Sequence, residues 1–96
     1  MPDSSQDVSS QITYIDDWTN RLAKAYPGSN ITIASATGSA SDGATLVVTS
    51  DATSITFKLT PATPFTEAYD VDVTLTATLS NGDIDARHVY IGITNS

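Results

Sequence analysis

One run constrains this chain more than any other. From Tyr69 to Ser80, every odd position holds Tyr69, Val71, Val73, Leu75, Ala77 or Leu79. Every even position holds Asp70, Asp72, Thr74, Thr76, Thr78 or Ser80. Unbroken period 2 over this length places all the apolar side chains on one face of an extended strand and is incompatible with a helix. Asn81-Gly82 follows, a pair that tolerates the positive φ of a tight turn. The return segment carries Val89, Ile91 and Ile93.

Register limits how this hairpin closes. A two-residue Asn81-Gly82 loop would pair Val73 with Tyr90 and turn the second apolar row away from the first. A three-residue loop of Asn81, Gly82 and Asp83 pairs Leu75 with Val89, Val73 with Ile91 and Val71 with Ile93, so both rows share a face. The sequence therefore predicts a three-residue loop with a glycine bulge, or a two-residue turn with a bulge near 85–87.

Weaker alternation marks the other strands. Val8 to Ile15 places Val8, Ser10, Ile12 and Tyr14 on one side. Ile31 and Ile33 alternate within Ser29 to Ala36, Leu46 to Val48 centre another strand, and Ile55, Phe57 and Leu59 alternate with Thr56, Lys58 and Thr60. Thr37 to Gly43 is small and polar and reads as a flexible loop. Pro61 and Pro64 make 61–67 a connection. Trp18, Leu22, Ala25 and Tyr26 fall on one helical face, with Asp16 or Asp17 available to cap it and Pro27-Gly28 to end it. One short helix or a set of turns is expected over 16–26.

The fold class expected is all-β: an immunoglobulin-like antiparallel β-sandwich of about six or seven strands. The 96 residues fit one domain. An extended N-terminal arm is expected over residues 1–8, and the sandwich over 9–96. Fifteen Thr and 12 Ser agree with a strand-rich chain, because threonine is β-branched and its hydroxyl suits a solvent-facing row.

Charge and composition narrow the functional classes. Four basic residues against 11 acidic ones give a net charge of -7, which repels phosphate backbones and disfavours nucleic-acid binding. No apolar run approaches the ~20 residues of a membrane-spanning helix. The first residues read as polar rather than as a targeting signal. There is no cysteine for a disulfide, a thiolate metal site or a nucleophile.

Each candidate site has a simpler structural reading. His88, the single histidine, is expected on the outer face of the last strand with no second histidine or cysteine to share a metal. No Gly-x-Ser-x-Gly elbow singles out a serine for a Ser-His-Asp arrangement. Asp70 with Asp72, and Asp83 with Asp85, could serve as paired carboxylates or Ca²⁺ ligands, but read better as a solvated acidic face that discourages edge pairing. Trp18 with Tyr14 and Tyr26 could form a ligand platform, but a lone Trp in a small domain reads as a core plug. Asn30-Ile31-Thr32 matches a glycosylation acceptor and, without a secretory signal, reads as chance. No catalytic residue, metal site or cofactor is expected, and the chain is not expected to be an enzyme.

Three segments carry a resemblance to a known family. They are Tyr14-Ile15-Asp16-Asp17-Trp18 with Leu22, then Asn30-Ile31-Thr32-Ile33-Ala34-Ser35, and last the closing hairpin. The hairpin reads Tyr69…Val73-Thr74-Leu75-Thr76, Asn81-Gly82 and Asp85-Ala86-Arg87-His88-Val89-Tyr90-Ile91. The chain resembles small immunoglobulin-like virion proteins of tailed bacteriophages, particularly the fibre–tail adaptor proteins. It departs from them in having no tryptophan after Trp18 and a longer stretch from Ala23 to Ser29. The resemblance implies a non-catalytic virion structural protein, attaching fibre to tail or decorating the capsid as a cement. Its partners would be tail, fibre or capsid subunits, with a homo-oligomer also open to it. The competing expectation is a β-sandwich module that binds a glycan or another ligand.

Overall fold

A computed structural model describes residues 4–62 and 67–94. Its longest elements are the two arms of the hairpin, β6 (Tyr69–Leu79) and β7 (Ile84–Thr94). Five further strands precede them: β1 (Ser4–Asp7), β2 (Ile12–Asp17), β3 (Ile33–Ala40), β4 (Thr45–Ser50) and β5 (Ser54–Thr60). One helix, α1 (Thr19–Ala25), joins β2 to β3. Residues 63–66 of the Pro61-to-Glu67 connection, and the first three residues of the expected arm, lie outside the described residues.

The strands form two sheets, ordered β1-β7-β6-β3 and β2-β5-β4. Numbered as in immunoglobulin domains, β3, β6 and β7 take the places of strands C, F and G, and β2, β5 and β4 those of B, E and D. The fold is thus the expected immunoglobulin-like sandwich. The pairing is antiparallel except between β1 and β7, which run parallel. Between the sheets lie Trp18, Ile55, Phe57, Leu59, Val71, Val73, Leu75, Leu79, Ile91 and Ile93, all essentially without solvent exposure. Each such side chain contributes about 1.5–3 kcal/mol of transfer free energy, the main term opposing chain entropy.

The hairpin closes with a three-residue loop, but one residue earlier than expected. The Leu79 N–H donates to the Asp83 carbonyl at 2.8 Å and the Gly82 N–H to the Leu79 carbonyl at 2.9 Å, leaving Ser80, Asn81 and Gly82 as the loop. In such loops the third residue is left-handed. Gly82 has φ +91°, whereas a loop of 81–83 would have put Asp83 there. The pairing is therefore Val71 with Ile91, Val73 with Val89 and Leu75 with Arg87, two residues from the expected register. A two-residue slip preserves the face, so the apolar rows still coincide, without a second bulge.

Two other segments differ from expectation. Residues 37–40, expected in a flexible loop, continue β3 and pair with Val73 to Thr76 of β6. A register shift between Ile33 and Ser35 moves the inward parity from Ile33 to Ala36, Gly38 and Ala40. Small residues are needed there because the sheets close tightly. A Cβ on Gly38 would lie 2.8 Å from Val48 Cγ2 and 2.9 Å from Leu46 Cδ2. The composition that suggested a loop is thus a packing requirement.

The polar start also belongs to the sandwich. Ser4–Asp7 of the expected arm pairs with Ile91–Thr94, and the Val8 N–H donates to the Thr94 carbonyl at 2.8 Å. The first strand expected over 8–15 is consequently shortened, with β2 beginning only at Ile12. In α1, Leu22 is buried but Ala25 is exposed, so the apolar face is narrower than its spacing suggests. Neither Asp16 nor Asp17 is the N-cap, which is Trp18; Asp17 Oδ1 nonetheless accepts the Thr19 N–H at 2.9 Å.

Candidate docking surface

The two faces of the hairpin separate two kinds of chemistry. Outward from sheet β1-β7-β6-β3, register aligns side chains in rows: Ser39, Thr74 and His88; Thr37, Thr76 and Ala86; Ser35, Thr78 and Ile84. This face is broad and rich in hydroxyls, and Ile84 and Tyr90 are exposed upon it. Asp72 lies opposite Tyr90. The His88 Nδ1 is 2.9 Å from Asp72 Oδ1 and 3.3 Å from Thr74 Oγ1, and its ring stacks near Tyr90 at 6.4 Å between centroids. His88 is therefore exposed, as expected, and held by a carboxylate of the adjacent strand.

On the core side, the hairpin tip carries Asp85 and Arg87, with the same parity as Val89. Sequence reading missed their role. They meet the end of β2 and helix α1 in a polar closure over the core. The Arg21 guanidinium donates through Nε to Asp85 Oδ2 at 2.9 Å and through Nη2 to Asp85 Oδ1 at 3.0 Å. That fork holds the Asp85 carboxyl below the usual carboxylate range and raises Arg21. The same guanidinium sits 5.1 Å from the Trp18 ring centroid. Trp18 Nε1 donates to Asp16 Oδ2 at 2.8 Å, and Arg87 Nε lies 3.1 Å from that oxygen as an ion pair without hydrogen-bond alignment. The Tyr26 hydroxyl donates to Asp83 Oδ2 at 2.6 Å, which raises its pKa.

The sequence-derived candidates are thereby dispersed. Asp83 and Asp85 have separate partners, Tyr26 and Arg21, and Asp72 is engaged by His88. Among the described residues, no group of three or more His, Cys, Asp or Glu side chains is placed to hold a metal ion. Trp18 is buried, so its ring has no open face for a ligand. Tyr14 stacks on Phe57 at 5.2 Å and donates its hydroxyl to Gln6 Oε1 at 2.8 Å. Trp18 is thus the core plug expected of it, and the alternative of a ligand platform shared with Tyr14 and Tyr26 is not formed. Asn30 is exposed beside the loop that follows α1.

Two clefts bear on ligand binding. One, of about 190 Å³, lies between the sheets against Tyr14, Phe57, Arg87, Val89 and Ile91. It falls below the roughly 300–1,000 Å³ of ordinary small-molecule sites. Another, of about 320 Å³, is lined by Ser5, Tyr69, Asp70, Gly92 and Thr94 at the base of the hairpin. It reaches the lower end of that range but draws no second aromatic wall or convergent set of charges.

Comparison of the chain with protein-family models, with curated proteins and with solved structures finds no match. Fold and surface together describe an immunoglobulin-like sandwich whose largest accessible features are sheet faces and edges.

Proposed function

We propose that this chain is a non-catalytic structural protein of a tailed-bacteriophage virion, docking on tail, fibre or capsid subunits. The observation that carries the reading is the outer face of β3, β6 and β7. It sets exposed Ile84 and Tyr90 among rows of Ser and Thr, and apolar and aromatic anchors within a polar surround suit a protein interface. The resemblance of the Tyr14–Trp18, Asn30–Ser35 and hairpin segments to fibre–tail adaptor proteins supplies the virion context. The burial of Trp18 weakens the competing glycan-binding reading, which relied on that ring.

The test is binding of purified protein to assembled particles and to isolated tails. Thr37→Arg/Ala86→Arg places two cations on the exposed central row and is expected to weaken binding at least about tenfold. Unfolding free energy should change by less than about 0.5 kcal/mol per site, since both positions are exposed. Light scattering separates the two roles. A stable trimer favours capsid threefold positions, and a monomer that binds only assembled tails favours attachment. Absence of binding to particles, tails and capsids alike would overturn the proposal.

A further inference from the structure

Among the described residues the sandwich has four sheet edges, and three carry features that oppose pairing with another strand. β1 is four residues long and wholly polar. β2 points Asp16 inward, with its side chain only 12% exposed. β3 is broken by the irregularity between Ile33 and Ser35. β4 has none of these. It reads Thr-Leu-Val-Val-Thr-Ser, without charge or proline, in unbroken register with β5.

Backbone parity shows what this edge offers. The Asp51 N–H donates to the Ser54 carbonyl, so the odd residues of β4 bond to β5. The N–H and C=O groups of Leu46 and Val48 therefore point outward, and no partner for them is among the described residues.

We propose that β4 pairs antiparallel with β4 of a second copy about a two-fold axis through Val47, joining two three-stranded sheets into one. The sequence is self-complementary in this register. Leu46 falls opposite Val48 of the second copy, Thr45 opposite its Thr49, and Val47 opposite its Val47. Apolar meets apolar on the inner face, threonine meets threonine outside, and the outward backbone groups of Leu46 and Val48 bond each other. Charge points to the same edge. Between Lys24 and Asp51 the chain has one charged residue, Asp42, although its net charge is -7. Copies therefore meet here with the least repulsion. Asp42 would approach Asp51 of the second copy at either end, so salt strengthens the contact.

A six-residue edge buries less than the roughly 1,200 Å² of a standard stable interface, so the dimer is weak and concentration-dependent. The contact does not rest on the virion reading: a strict monomer that still binds particles would refute this inference and leave that one standing.

The native chain lacks cysteine, so single substitutions report the register. Under mild oxidation, Val47→Cys should form a covalent dimer about tenfold faster than Thr45→Cys or Thr49→Cys. A mixture of Thr45→Cys and Thr49→Cys protein should cross-link to a heterodimer faster than either alone. Val47 is 60% exposed, so these proteins should melt like the parent. In sedimentation, Val47→Lys should weaken dimerisation about tenfold by opposing two ammonium groups. Equal cross-linking rates at the three positions, or parent-like sedimentation of Val47→Lys, would overturn the pairing.

Discussion

Gln6 ties the first strand to the sandwich through one buried amide. Its Nε2 donates to the carbonyls of Ser10 at 3.1 Å and Leu59 at 3.2 Å, while Oε1 accepts the Tyr14 hydroxyl. Only 3% of the residue is exposed. Buried polar groups stabilise when every partner is met and cost when one is orphaned. Gln6→Ala would leave a hydroxyl and two carbonyls without that amide, so we expect a loss of about 1–3 kcal/mol in urea unfolding. The position could not be read from sequence, since Ser4-Ser5-Gln6-Asp7 has no apolar residue and its burial comes from pairing with β7. Trp18 was legible as a core plug because a single large ring in a small domain has few other places to go. Its anchoring by Asp16, two residues away, was not.

Among the elements, the hairpin shows what period and turn chemistry determine and what they leave open. Period 2 specified the core face of β6 and β7, and it survived a two-residue change of register because parity is all it encodes. The absolute register depended on which loop residue takes positive φ, and that is Gly82. Gly82→Ala is expected to cost about 1 kcal/mol, read from the denaturation midpoint with an unchanged slope. A Cβ there would meet nothing within 4 Å, so the cost is conformational rather than steric. β3 was the least legible strand. Its irregularity at Ala34 reverses the alternation begun by Ile31 and Ile33, and Ala36, Gly38 and Ala40 look like loop residues until Leu46 and Val48 are set against them. The outer face of the hairpin was partly legible, since alternation set Asp72 and Thr74 opposite the apolar row of β6 and His88 was expected on the outer face of β7. The polar closure by Arg21, Asp85 and Arg87 was hidden because it joins elements far apart in sequence.

At the scale of the molecule, the described fold is elongated. Its radius of gyration is 14.5 Å, against about 12.5 Å expected for a compact chain of this length. Its acid response follows from carboxylates held low by their partners. Asp85 is lowered by Arg21, Asp17 by Thr19, and Asp51 by the backbone N–H of Thr53 and by Ser54. A carboxylate with a depressed folded pKa binds fewer protons in the native state. Its contribution is therefore present above the unfolded value of about 4 and lost as pH falls through the folded value. Arg21→Gln should lower stability at pH 7 by less than about 1 kcal/mol, because the pair is solvent-screened. That difference should shrink as the medium is acidified below the usual carboxylate range and Asp85 takes up its proton, measured by thermal unfolding across pH. The parallel alignment of β1 and β7 has a mechanical consequence. Tension applied at Ser4 and Thr94 would draw the two strands along one another in opposite senses. Their hydrogen bonds would then be loaded together in shear rather than peeled open one at a time. A sheet wired this way resists stretching between Ser4 and Thr94 more than its short first strand would suggest.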